Sequence, residues 1–315
     1  MLGTTDRPLH EAYDAALLDL DGVLYLGSQP VAHAREAVAE VRRAGMRTAF
    51  VTNNASRLPE VVAQQLVELG IDAEPEDVVT SGQAAARYLA DRLPSGSRVL
   101  VVGTDALSQL VAETGLVPVR TAPAAAVVQG FSVTTGWEEL AEAAVVLRSG
   151  ALWVAGNADS TIPTPRGPLP GNGALLAALE VATGREPVVV GKPEPELHGV
   201  SVARVDARRP LVVGDRLDTD VLGAVRAGAD SLLVLTGVTS RADLLAAPQG
   251  LRPTYVGHDL RALLAPQPEV RLLDGEAVCG DGRAWWEGTE VVSAGPADLA
   301  LRAACALAWT ATGTR

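Results

Sequence analysis

Apolar runs that stop at polar clusters recur along this chain. YDAALL (13–18) leads into DLDG, TAFVTNN (48–54) stops at a polar loop, PVVVGK (187–192) ends in a lysine, and PLVVGDRLDTD (210–220) ends in acids. Continuous apolar runs of this kind predict strands buried on both faces, as parallel sheets require. Helical patterns separate them. Residues 33–45 are amphipathic and Gly45 ends them, while Pro59 opens a helix through Leu69 with Gly70 behind it. PELHGVSVARV and VLGAVRAGA read as helices, SLLVLTG as a strand, and PTYVGHDLRALL (253–264) as a short strand with a final helix. Strand and helix alternating with short links predict a parallel sheet, and right-handed crossovers place Asp19 and Thr52 at one edge. Residues 1–81 and 187–266 thus predict one doubly wound α/β sheet, with ligands beyond the carboxyl ends of its strands.

The intervening residues 82–186 carry their own strands, RVLVVG (98–103), AAVVQGFSV (125–133) and ALWVAGN (151–157), and helices around 83–93, 137–148 and 173–183. They predict an inserted second α/β domain. Residues 267–315 differ again: RLLDGEAVCGDGRAWWEG alternates like a hairpin with glycine turns, and ADLALRAACALAW reads as a helix.

Composition narrows the picture. The 315 residues fit about two domains. With 48% hydrophobic and only 3% aromatic residues, the core must be aliphatic. A net charge of −12 argues against nucleic acid or an anionic membrane as partner, since both need a positive field. An anionic substrate then needs a local device that overrides the repulsion. Two cysteines, Cys279 and Cys305, make no disulfide framework, so a reducing, cytoplasmic setting is expected. The amino-terminal MLGTTDRPLHEAYD has no apolar stretch of signal type, and no apolar run reaches the roughly 18 residues of a membrane span. Lys192 is the sole lysine among 26 basic residues, and the only asparagines are Asn53, Asn54, Asn157 and Asn172. A composition this poor in lysine and asparagine marks those five positions for their chemistry.

Asp19 and Asp21 sit just past a buried strand, and two close acids imply a cation. A calcium loop of EF-hand type is excluded, because Leu24 and Pro30 stand where Gly and Glu are required. A solvated acidic turn remains open, as does a nucleophilic aspartate beside a metal. GK at 191–192 is no phosphate-binding P-loop, because Pro193 replaces Ser or Thr, and no GxGxxG follows the first strand.

DLDGVLY, VTNN-x-S, GKPEPE and GD-x-x-x-TD, in this order over residues 13–260, resemble the four motifs of the haloacid dehalogenase superfamily of phosphohydrolases. The insert falls between Thr52 and Lys192, similar to subfamily IIA with its C2-type α/β cap on a Rossmann-like core. TSGQAAARYL, AGNAD and LPGNGALLAALE also look like that subfamily. The resemblance implies a phosphatase acting through an aspartyl-phosphate. It implies Asp19 as nucleophile, Asp21 as acid and base, and Mg²⁺ held by Asp19, Asp215 and the carbonyl of Asp21, with Asp220 behind them or reached through water. Lys192, Thr52 and the amides near Asn53 and Gly22 would meet the phosphoryl group. The implied partners are a small phosphorylated metabolite and a second copy through the cap.

Other residues keep plainer readings. Asp218 reads as an exposed helix-start acid, and Asn54 and Ser56 as loop and cap residues. Asn157, Asp159 and Asn172 are open to turn roles and to substrate contacts. Arg166 reads as a solvated loop arginine unless the loop 161–172 faces the site. The four histidines show no metal-ligand spacing, and Trp285–Trp286 reads as hairpin packing or an interface anchor. The Arg/Ala-rich composition and appended tail resemble actinobacterial glycerol-phosphate phosphatases, so glycerol 3-phosphate is the first expected substrate and 2-phosphoglycolate the second. A pyridoxal-phosphate, sugar-phosphate or nucleotide phosphatase, a phosphotransferase or mutase, and a non-catalytic phosphate sensor are the alternatives.

Overall fold

The computed structural model describes residues 2–162, 164 and 166–311. The chain forms two compact units, one of the residues through Val51, Leu66–Ala73 and Ser201 onward, the other of Thr52–Gln65 and Glu74–Val200. Strands of the two parallel sheets include β1 (Ala15–Leu18), β2 (Arg47–Thr52), β3 (Arg98–Val102), β4 (Val117–Val119), β5 (Ala126–Gln129), β6 (Leu152–Ala155), β7 (Val188–Val189), β8 (Pro210–Gly214), β9 (Asp230–Val234) and β10 (Tyr255–Gly257).

In the first unit β10, β9, β8, β1 and β2 lie side by side in that order, all parallel. Leu18 of β1 stands between Val213 of β8 and Phe50 of β2. Every residue of β1 is buried, which is why this strand carries no polar side chain. Parallel pairing sets the carboxyl ends at one edge, and the polar clusters lie beyond it. Helix Ala34–Arg43 buries Ala34, Ala37, Val38 and Val41, the stripe its spacing requires.

The carboxyl-terminal segment is integral to this unit. Where the sequence predicts a hairpin, four antiparallel strands form (Arg271–Leu273, Glu276–Cys279, Gly282–Glu287 and Glu290–Ala294). Gly288, in the left-handed region at φ 62°, turns the chain back for the last of them. Helix Ala297–Ala311 then buries two faces. Ala303, Ala304 and Leu307 pack on Ala277, Cys279 and Ala284 of the small sheet. Leu301, Cys305, Ala308 and Trp309 pack on Val221, Leu233, Leu244 and Val256. Arg302, buried between these faces, donates to Gln267 Oε1 and to the carbonyls of Gly3 and Pro268, each at 2.8 Å. Both cysteines are buried free thiols, and burial pushes the Cys305 thiol up to about 12, which keeps it protonated.

The second unit holds a parallel sheet in the order β7, β6, β5, β3, β4. Helices Trp137–Arg148 and Asn172–Thr183 cover the face bearing Val127, Trp153 and Ala155. Helix Asp105–Glu113 and edge strand β4 are additions to what the sequence pattern predicts. The chain leaves β3 towards β4 and returns to the other side as β5, so the switch point of this sheet lies between β3 and β5. No helix among the described residues is long and apolar enough to cross a membrane.

Candidate active site

Three carboxylates meet at the carboxyl edge of the first unit's sheet. Asp19 follows β1, and its N–H donates to Val213 O at 2.8 Å, continuing the β1–β8 ladder. Asp215 follows β8 and is 1% exposed. Asp220 is buried in the π-helical turn Leu217–Val221, which the sequence pattern does not announce. Asp19, Asp215 and Asp220 each offer an oxygen, and these atoms lie within 4.8 Å of one another.

Backbone groups fix the cluster. Asp215 Oδ2 accepts from the Val238 N–H at 2.6 Å, and Asp220 Oδ2 from the Arg216 N–H at 3.1 Å. Thr236 Oγ1 donates to Gly22 O. Gly22 has φ +84°, and a Cβ there would run into the Asp215 carboxylate, as would one at Gly237. The two glycines let Asp215 lie flat between loops. Three acids this close repel unless a cation lies among them, and an all-carboxylate set suits a hard divalent ion such as Mg²⁺. Asp218 stands apart: it is exposed, and its hydrogen bonds with the Arg216 guanidinium hold it below the usual carboxylate range. Asp21 is exposed, next to Gly22. The amide expected to serve a phosphoryl group at Gly22 is committed elsewhere, because its N–H donates to Tyr25 O at 2.8 Å. Gly22 contributes the close approach instead.

The remaining motif residues belong to the second unit and are tied into a hydrogen-bonded network. Thr52, buried, accepts the Asn54 N–H at 3.1 Å through Oγ1, which leaves its own O–H to donate. Asn53 clamps the backbone of Lys192: Nδ2 donates to Lys192 O at 3.0 Å, and Oδ1 accepts the Lys192 N–H at 2.7 Å. Lys192 is 4% exposed. Asn53 O accepts from Ser81 Oγ (2.6 Å) and Asn157 Nδ2 (2.7 Å), and Asn157 O accepts from Asn172 Nδ2 (2.7 Å). Asn54 Oδ1 caps the Ser56 N–H, and Ser56 Oγ donates to Phe131 O. Ala55 plugs the switch-point side of the sheet: a Cβ at Gly130 or Gly156 would come within 3.0 or 2.7 Å of its own Cβ. Asp159 donates its N–H to Asn157 Oδ1 at 3.2 Å, and Arg166 is exposed in a turn closed on Thr164 Oγ1. Among the described residues, the sequence reading missed the Thr236–Val238 loop. Its signal was present: LTG closes the apolar run SLLV in the same way as the four clusters above.

Similarity to known proteins identifies the family. Residues 16–117 match a family model described as haloacid dehalogenase-like hydrolase, and residues 189–263 match a HAD-hydrolase-like model. The chain is 52% identical over 289 residues to D-glycerol 3-phosphate phosphatase of Mycobacterium tuberculosis, covering 88% of this chain and 81% of that protein. It is 36% identical to acid sugar phosphatase of Staphylococcus aureus over 80% of this chain and 97% of that one. A crystal structure of the M. tuberculosis glycerol phosphate phosphatase in complex with magnesium superposes with a TM-score of 0.86 at 47% identity, covering 96% of this chain and 92% of that one. The p-nitrophenyl phosphatase of Archaeoglobus fulgidus gives 0.76 at 30% identity, with 80% and 98% covered.

Proposed function

The chain belongs to the haloacid dehalogenase-like hydrolases and is a phosphatase of that family, and from this premise we propose that it hydrolyses glycerol 3-phosphate through an aspartyl-phosphate on Asp19. The observation that carries the chemistry is the Asp19–Asp215–Asp220 cluster at one sheet edge. Glycerol 3-phosphate is supported by the 52% identity to a phosphatase named for that ester.

Asp19, Asp215 and Asp220 would hold Mg²⁺ together with the Asp21 carbonyl. When bound, Mg²⁺ offsets the charge of the phosphoryl oxygens, which otherwise repel an attacking carboxylate. Asp19 attacks phosphorus, and the alkoxide leaves. Asp21 protonates that alkoxide and then takes a proton from the water that hydrolyses the aspartyl-phosphate; its exposure supports exchange with solvent. Thr52, the amides of the Asn53 loop and Lys192 would bind the transferring group, supplying the local positive field that a chain of charge −12 needs. The second unit would serve as a cap that chooses a small leaving group. A cytoplasmic enzyme, dimeric through the cap and without nucleic-acid or membrane partners, completes the reading.

A phosphate-ester panel tests it. Glycerol 3-phosphate is expected to give the highest kcat/KM, with loss of activity in EDTA and recovery on adding Mg²⁺. A higher kcat/KM on 2-phosphoglycolate or a sugar phosphate overturns the substrate. Turnover that survives EDTA overturns the metal, and phosphate transfer to an added alcohol in place of water points to a phosphotransferase.

The glycine cradle gives a second expectation. Gly237→Ala pushes a methyl group into the Asp215 carboxylate. Displacing a group that orients a metal ligand costs about 10–100-fold in metal affinity. The Mg²⁺ concentration for half-maximal activity is therefore expected to rise by at least tenfold, and an unchanged Mg²⁺ titration contradicts the cradle.

A further inference from the structure

We propose that Asn157 and Asn172 are positioning residues for Lys192, acting through Asn53, so that three of the chain's four asparagines form one relay that holds its sole lysine. The proposal rests on the reading of Lys192 as a phosphoryl-binding group.

The relay runs from a helix to the lysine. Asn172 is the first residue of helix Asn172–Thr183 and is 1% exposed; its Nδ2 donates to Asn157 O at 2.7 Å. Asn157, 6% exposed, donates through Nδ2 to Asn53 O at 2.7 Å, and its Oδ1 accepts the Asp159 N–H. Asn53 then grips Lys192 with both ends of its amide. Each side chain thus fixes the backbone of the next residue, and the last fixes the peptide from which the lysine side chain departs.

The geometry explains why these are asparagines. The clamp on Lys192 needs a donor and an acceptor on one short planar group. Aspartate lacks the donor, serine lacks the second end, and glutamine adds a methylene where there is no room. Gly191 marks that limit: a Cβ there would run into Gly156 O and come within 2.7 Å of Asn53 Oδ1. The same pairing of donor and acceptor is used at Asn157. At Asn53 and Asn157 both functions are used, whereas Asn172 contributes its donor alone. Asn54 lies outside the relay, since its amide oxygen caps the Ser56 N–H.

This assigns Asn157 and Asn172 a task other than substrate contact: their amide nitrogens turn to backbone carbonyls. A phosphoryl-binding ammonium must be held to within a fraction of an ångström, and a misplacement of about 1 Å can cost on the order of a hundredfold in rate. Loosening the relay should therefore act on turnover through Lys192.

A double-mutant cycle tests this, with p-nitrophenyl phosphate as probe so that the choice of physiological ester does not enter. Asn157→Leu keeps the branch at Cγ and removes both the donor to Asn53 O and the acceptor for the Asp159 N–H. It is expected to lower kcat/KM at least tenfold in the otherwise unchanged enzyme and less than twofold in the Lys192→Ala enzyme, because no ammonium is then left to position. An equal loss in both backgrounds, or no loss in the first, overturns the relay. Thermal melts accompany each variant; if Asn157→Leu does not fold, Asn157→Ser enters the same cycle with the same criteria. Asn53→Ala, which removes both ends of the clamp, is expected to lower kcat/KM at least tenfold, and an unchanged kcat/KM also overturns the clamp. Should Lys192→Ala alone retain full kcat/KM, the phosphoryl role of Lys192 falls and the relay with it. That outcome is distinct from a dispensable Asn157 beside an essential Lys192.

Discussion

Asp19→Asn is expected to lower kcat by on the order of 10⁴–10⁶-fold while leaving the fold intact, a loss typical of deleting a covalent nucleophile. The substitution keeps the shape of the side chain. The bond that seats this residue, from its own N–H to Val213 O, belongs to the backbone and survives the change. What is lost is charge and nucleophilicity, for an amide does not displace an alkoxide from phosphorus. The neighbouring residue supplies a contrast. Asp21→Asn retains the nucleophile but removes the group that serves first as acid and then as base, so the phosphorylated enzyme should form slowly and break down more slowly still. Acid quenching after incubation with ³²P-labelled ester therefore separates the two: label on the Asp21→Asn chain, none on the Asp19→Asn chain. Label retained by Asp19→Asn, or turnover within tenfold of the unaltered enzyme, would place the nucleophile elsewhere.

The acid cluster and most of the doubly wound sheet were legible because both are written locally; the run at 187–192, expected in that sheet, instead pairs as β7 with β6 of the second unit. A strand flanked on both sides can carry only apolar residues, and Ala15–Leu18 carries only those. Asp19 and Asp215 follow such runs directly, so finding the strands found the acids. Less was legible where the cause is distant. Gly22 marked a tight turn correctly, yet its demand for space comes from Asp215, far away in sequence. The scarcity of asparagine singled out Asn53, Asn157 and Asn172, but only the fold reveals that their amides connect end to end. β4 contains Pro118 at a sheet edge, so its pattern does not stand out along the chain. The tail was legible as strands and a helix but not in its attachment. A helix apolar on two faces fits a buried helix wherever it lies, and its partners Val221, Leu233 and Val256 are not written into it.

That attachment makes Trp309 a residue whose loss should cost much stability. It is 5% exposed, its Nε1 donates to Leu244 O at 3.0 Å, and the Arg252 guanidinium lies 5.3 Å above its ring. Removing a buried tryptophan to alanine costs about 3–5 kcal/mol, because the cavity collapses only partly and the Leu244 carbonyl loses its donor. For a chain of this size that corresponds to a fall in Tm on the order of 10 °C. Trp286, 39% exposed on the small sheet, offers the control: its replacement by alanine should stay within about 0.5 kcal/mol. The loss at Trp309 also reaches the site by a short route. Trp309 and Val221 share one apolar cluster, and Val221 adjoins Asp220 in the π-helical turn. Trp309→Ala should therefore raise the Mg²⁺ concentration for half-maximal activity at temperatures where the protein is still folded, whereas Trp286→Ala should not. A Trp309→Ala protein that melts with the unaltered enzyme would show that the carboxyl-terminal helix is an ornament on the sheet instead of part of its core.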